Sequence, residues 1–187
     1  MSNRVAVYGT AVVISCLLAA CGGSSGGVNT GADKPADAAS SSDEASPTTA
    51  PAKLGDPITL KGNTDGSKVT VVAKKFVPTT ATDGFSKPAA GMRYVAVQFQ
   101  ITNSGSVAYD DSPMNGAKVA DKQGQQFDAT IVTSIKAGPL LPASVKLPPK
   151  GKALGYIPFE VPKASTVTAT QFSMDSGFGE TGEWLVK

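Results

Sequence analysis

Met92-Arg-Tyr-Val-Ala-Val-Gln-Phe-Gln-Ile-Thr102 decides the fold class: Val95, Val97, Phe99 and Ile101 alternate with Ala96, Gln98, Gln100 and Thr102. Side chains on a strand point alternately to its two faces, so a period of two predicts a β-strand with one buried face. Asn103-Ser104-Gly105 follows as a turn.

The same reading extends in both directions. Val69 and Val71 share a face of a second strand that runs to Val77 and is expected to stop at Pro78, which cannot donate to a ladder. Residues 118–120 and 125–129 flank Asp121-Lys122-Gln123-Gly124, whose glycine can take the positive φ of a hairpin turn. Pro148-Pro149-Lys150-Gly151 makes another turn before a strand in which Ile157, Phe159 and Val161 share a face and Pro162 closes the run. Pro158 within it predicts an edge or a bulge. Residues 58–60, 167–174 and 183–186 complete seven or eight strands, and no long helical period interrupts them. Short strands with regular turn signals give an all-β class, an antiparallel β-sandwich. Trp184 is expected in its packing, as are Met92, Met114 and Met174.

Upstream of this domain the composition changes twice. Arg4 precedes an apolar run over residues 5–18, too short for a comfortable transmembrane helix but suited to the core of a secretory signal. Leu18-Ala19-Ala20-Cys21-Gly22-Gly23 then resembles the lipobox of bacterial lipoproteins. Cleavage after Ala20 would remove residues 1–20, including Cys16, and leave Cys21 as the amino terminus and the site of lipid attachment. A thiol is nucleophilic enough to take a diacylglyceryl group as a thioether. Persistent anchoring needs more than one chain, at about 0.8 kcal/mol per buried methylene.

Residues 22–53 are rich in Gly, Ser, Ala, Thr, Pro and Asp, and Val28 is their one sizeable apolar side chain. Such a stretch buries too little surface to offset chain entropy and is expected to be a disordered linker. Its 32 residues have a root-mean-square span of about 30 Å and a stretched limit of roughly 110 Å. The expected organisation is thus a signal peptide over 1–20, a lipidated Cys21 and linker over 21–53, and a sandwich over 54–187. The protein would sit on the outer face of the cell membrane.

Three segments together resemble the telokin-like, immunoglobulin-like extracellular domain of unknown function found in Gram-positive lipoproteins. They are Gly91-Met-Arg-Tyr-Val-Ala-Val-Gln-Phe-Gln-Ile-Thr-Asn103, Val119-Ala-Asp-Lys-Gln-Gly-Gln-Gln-Phe127 and Leu147-Pro-Pro-Lys-Gly-Lys-Ala-Leu-Gly-Tyr-Ile-Pro-Phe-Glu-Val-Pro162. The resemblance spans most of residues 68–186 and implies an immunoglobulin-like sandwich with no shared catalytic residues. Pro158 departs from it, because the family keeps that strand uninterrupted, and residues 135–145 look like an insertion.

Composition narrows the chemistry. The chain has no histidine, which excludes a Ser-His-Asp triad, a Cys-His pair and imidazole-bound zinc or copper. Residues 54–187 contain no cysteine, so neither a disulfide nor a thiolate is available there. They carry 14 Lys or Arg against 11 Asp or Glu without a basic run, which gives no sign of nucleic acid. Asp110-Asp111 is the densest acidic site; a carboxylate pair can serve a glycosidase, and with Ser112 it offers oxygen to Ca²⁺, but the spacing is not that of an EF-hand. Solvation is the simpler reading. The loop Ser176-Gly177-Phe178-Gly179-Glu180 lacks the lysine and helix of a phosphate loop and presents Phe178 as a contact point.

The expectation is therefore a non-enzymatic, membrane-anchored extracytoplasmic binding protein, with no cofactor, no metal and no catalytic residue. Its loops near Tyr109-Asp110-Asp111 and Phe178 would meet a protein or cell-envelope ligand. The alternatives are an accessory subunit of an envelope or transporter complex and a hydrolase using carboxylates alone.

Overall fold

The computed structural model describes residues 28, 29, 31 and 51–186. The expected signal segment, Cys21 and most of the expected linker lie outside the described residues. In chain order the strands are β1 (Val28–Asn29), β2 (Pro57–Lys61), β3 (Lys68–Thr79), β4 (Met92–Asn103), β5 (Tyr109–Asp111), β6 (Ala117–Asp121), β7 (Gln126–Asp128), β8 (Val145–Leu147), β9 (Lys152–Pro162), β10 (Val167–Ser173) and β11 (Thr181–Leu185). A single helical turn, α1 (Pro113–Gly116), and a 3-10 turn over Asp175–Gly177 interrupt them.

Two sheets form the sandwich, one ordered β2-β3-β4-β9 and the other β1-β11-β10-β6-β7, with β5 and β8 as a separate antiparallel ribbon. Among the named strands, the pairings are antiparallel except that of β1 with β11. The alternation in β4 builds the core: Val95, Val97, Phe99 and Ile101 are fully buried, and β9 opposes them with Ile157, Phe159 and Val161, also fully buried. From the other sheet Phe172 and Trp184 reach Phe99, with ring centroids at 5.4 Å and 6.2 Å and tilted or edge-on rings. Trp184 is fully buried and its indole Nε1 donates to the Asp56 carbonyl at 2.8 Å, which satisfies its one polar atom. Met174 is fully buried and Met114 packs partly buried against the same core.

The opposite face of β4 departs from the one-sided pattern. Tyr94 and Ala96 are buried there because Val132 and Ile135, from the connection between β7 and β8, pack over them together with Tyr156. The insertion-like stretch thus forms a second, smaller core outside the sheet.

Three further expectations need correction. β3 does not stop at Pro78 but continues to Thr79, with Pro78 opposite Val95. β2 pairs no further than Val72, so beyond that point β3 has no strand on its far side and the missing N–H deprives no ladder. Residues 109–111 are a strand, not a loop, and Tyr109 is a core residue at 3% exposure. The domain also begins before residue 54: Ala52 is fully buried, its carbonyl accepts from Leu185 N–H at 2.8 Å, and Lys53 bridges Leu185 in parallel. Within the stretch read as linker, Val28–Asn29 pairs with Thr181 and Gly182 of β11. The physical reason is the open outer edge of β11, whose unpaired backbone groups accept an added strand. Pro158 does lie on an edge strand, β9, where its carbonyl accepts from Thr130 N–H at 2.9 Å. The hairpin forms as expected, with Val119 opposite Phe127 and Gly124 at φ 81°.

Polar groups, with Asn103 and Asp121 buried among them, tie the connections down. Asn103, 1% exposed, donates from Nδ2 to the carbonyls of Val107 at 2.8 Å and Leu147 at 2.9 Å, while its Oδ1 accepts from Gly105 N–H at 3.0 Å. Asp83 gathers the connection after β3: its carboxylate accepts from Phe85 N–H, Ser86 N–H and Ser86 Oγ at 2.9, 2.7 and 2.6 Å, and from Thr133 Oγ1 at 2.8 Å. These hydrogen bonds, that of the Ser86 hydroxyl foremost, hold its carboxyl well below the usual range. Burial pushes the Asp121 carboxyl up, but the Ser165 hydroxyl and the N–H groups of Gln125 and Gln123 together pull it further down, leaving it lowered.

Replacing Phe99 by Ala is expected to cost about 3–5 kcal/mol in urea unfolding, the large-to-small penalty of a closed core, and Phe99→Leu clearly less. Asn103→Ala strands the carbonyls it served and is expected to cost about 1–3 kcal/mol in the same assay. A carboxyl lowered in the folded state stabilises fully above about pH 4 and loses that contribution as pH falls toward its lowered value. The melting temperature should therefore drop below pH 4, and Asp83→Asn or Asp121→Asn should reduce it at pH 7 while flattening the acid limb.

Candidate functional site

The two regions expected to carry contacts, residues 109–111 and the loop around Phe178, meet at one end of the sandwich, where Asp111 accepts from Ser176. Adjacent residues on a strand diverge, and the pair Asp110-Asp111 obeys this. Asp110 is exposed and forms an ion pair with Lys146 at 2.9 Å across the β5–β8 ribbon. Asp111 turns the other way and accepts from Ser112 N–H at 2.7 Å, Ser176 Oγ at 2.6 Å and Ser176 N–H at 3.2 Å. Beside it the Tyr109 hydroxyl is pushed up by burial and by the Asp111 charge, which keeps it in its protonated form.

Asp111 therefore acts as a latch on the 3-10 turn. That turn is unusual, for Asp175 and Ser176 both occupy the left-handed region, at φ 51° and 55°. Such conformations cost on the order of 1 kcal/mol or more each and persist where surrounding contacts over-determine them. A second latch comes from the β2–β3 connection: Asn63 N–H donates to Asp175 Oδ2 at 2.6 Å, Asn63 Nδ2 donates to the Phe178 carbonyl at 3.4 Å, and Lys61 N–H donates to Glu180 Oε2 at 2.8 Å. Held from both sides, Phe178 presents its ring to solvent at 85% exposure.

Next to this turn, residues 61–68 and 104–106 line an open groove of about 730 Å³ whose walls are Lys, Asn, Thr, Asp, Ser and Gly. Lys61 and Lys68 are both exposed along it. The sequence signal for this wall was available as a turn, Gly62-Asn63-Thr64-Asp65-Gly66, but nothing in it announces that Asn63 reaches residues more than a hundred positions downstream.

Asp111, Asp175 and Glu180 hold loops in place, and among the described residues no group of three or more Cys, Asp or Glu side chains comes together in a way that could hold a metal ion. The described residues also contain no helix long and apolar enough to cross a membrane. Cys21, the expected lipid site, lies outside the described residues.

Comparison with known proteins places this architecture. The chain is similar to MPT63, a secreted protein of Mycobacterium tuberculosis, at 17% identity and a TM-score of 0.53, over 71% of this chain and 94% of that one. It is also similar to the yjhA protein of Bacillus subtilis at 11% identity and a TM-score of 0.48, over 71% of this chain and 98% of that one. The first likeness shows the shared sandwich fold. No curated protein matches the sequence. The family described as "Domain of unknown function (DUF4352)" matches residues 61–182, which reach from the end of β2 into β11 and take in the whole loop end. With the greater part of its length so matched, this chain belongs to the DUF4352 family of domains of unknown function.

Proposed function

We infer that this chain is an extracytoplasmic lipoprotein, anchored through Cys21, whose sandwich is a non-catalytic binding module of the telokin-like kind found in Gram-positive lipoproteins. The observation that carries the reading is Phe178, an aromatic ring 85% exposed on a strained turn that Asp111 and Asn63 fix from opposite sides. A rigid exposed aromatic loses little freedom on binding and supplies much contact area, as aromatic anchors of interfaces do. The polar groove of residues 61–68 and 104–106 beside it offers hydroxyl, amide and ammonium groups for a protein or cell-envelope partner.

Two further features favour the reading. The chain has no histidine, and Asp111, Asp175 and Glu180 at the loop end are engaged in hydrogen bonds, which leaves Asp65 as the acid of the groove without a bonded partner among the described residues. MPT63 is described as secreted, in keeping with an address outside the cytoplasm.

The test is intact-mass analysis and membrane fractionation of the protein beside its Cys21→Ala variant, followed by crosslinking from intact cells with Phe178→Ala. The expected result is acyl mass and membrane retention that Cys21→Ala abolishes, and capture of a partner that Phe178→Ala weakens about tenfold or more. An unacylated, released wild type would overturn the anchoring; an unchanged capture profile for Phe178→Ala would overturn the contact surface.

A further inference from the structure

A second cavity lies where the β7–β8 connection crosses β9, beside the α1 turn that packs against the 3-10 turn before Phe178. It measures about 390 Å³, within the usual range of small-molecule sites, and Met114, Ile131, Leu140, Leu141 and Pro158 form its apolar walls. No Asp, Glu, Lys or Arg lines it. The polar atoms are few: Ser112 and Asn115 come from the α1 turn, and Tyr156 contributes from β9.

Tyr156 is the informative residue. Only 7% of it is exposed, yet its hydroxyl makes no hydrogen bond to any described residue. No side-chain polar atom shut off from solvent lacks a partner among the described residues, so this hydroxyl keeps access to solvent and is free to exchange a water for the head group of a ligand. The ring is held in place from both sides of its backbone: Tyr156 N–H donates to the Pro139 carbonyl at 2.9 Å, and the Tyr156 carbonyl accepts from Leu141 N–H at 2.9 Å. Gly155 permits this close crossing, since a Cβ there would lie 2.4 Å from Leu141 N.

The facing wall is also preformed. Thr130 N–H donates to the Pro158 carbonyl, and Asp83 and Thr82 hold Thr133 and Ser134 through their side chains, which brackets Ile131 and Val132 between fixed points. Ile131 nevertheless stands 85% exposed at the cavity mouth, an aliphatic side chain with nothing over it.

We propose that this cavity is a binding site for an uncharged, mainly aliphatic small molecule bearing one hydrogen-bonding head group, an alcohol or ester, which the Tyr156 hydroxyl engages. The apolar walls take the aliphatic part. The absence of any charged side chain selects against carboxylate or ammonium ligands, whose desolvation would go uncompensated. The site shares no lining residue with the Phe178 loop or the polar groove, although its wall at Ser112 and Asn115 adjoins the Asp111 latch.

The test uses the full chain carrying Cys21→Ala, purified without detergent, so that neither an attached acyl group nor a micelle competes. N-phenyl-1-naphthylamine is titrated by fluorescence and displaced with 1-decanol, decanoate or decylammonium. The expected result is saturable one-to-one binding, displacement by decanol at concentrations at least tenfold below those of the two ions, and a three- to tenfold weaker displacement by decanol in Tyr156→Phe. Ile131→Glu and Ala143→Trp, both at exposed lining positions, should abolish binding while leaving the thermal midpoint in place. Non-saturable fluorescence, equal displacement by the ions, or binding unchanged in both mouth variants would overturn the proposal; an unchanged decanol displacement in Tyr156→Phe would overturn the assigned hydrogen bond.

Discussion

The contact of Phe99 with Phe172 and Trp184 is what makes two sheets into one domain. Phe99 belongs to β4 and the other two to β10 and β11, so the cluster spans the sandwich. Residues 54–187 contain no cysteine to bridge the sheets covalently. Packing must do what a disulfide does in many extracellular sandwiches, and the indole hydrogen bond to Asp56 lets a large aromatic fill that role without leaving a polar atom stranded.

The sequence is legible where burial is one-sided and long. β4, β9 and the β6–β7 hairpin follow from alternation and turn chemistry because each side chain's fate there is set by the strand's own period. β5 and β8 escape the same reading: each is three residues long with a buried-exposed-buried pattern, too short to show a period, and each exists because the other lies beside it. Pro78 misleads for a related reason. Whether a proline ends a strand depends on whether a neighbour needs its N–H, and that is a fact about β2, not about β3.

The loop end shows the same division. Exposure of Phe178 is suggested by its glycine-rich surroundings, and Asp110 does sit at the surface as a solvated acid would. Asp111 is different. Its partner Ser176 is 65 positions away, and the strained turn that it steadies has no local signature beyond being polar. Asn103 illustrates the opposite case: as a strand-ending Asn two residues before a glycine it reads as a turn, and the structure adds that its side chain also links the connection before β5 to the end of β8. Asp83, Asp111, Asp121 and Asn103 thus define loops through partners that lie far from them in sequence or across a turn.

The parallel bridge between Lys53 and Leu185, flanked by hydrogen bonds between Ala52 and Leu185 and between Leu54 and Leu185, has a mechanical consequence. The chain enters the sandwich alongside the strand by which it leaves, and the two run in the same direction. Tension applied upstream of residue 51 along the strand direction runs across those hydrogen bonds, so they are loaded together in shear instead of being opened one after another. A pull on the entering segment thus meets more resistance than a pull across the ladder would, and Trp184 of the Phe99 cluster stands next to Leu185 in the seam that takes the load.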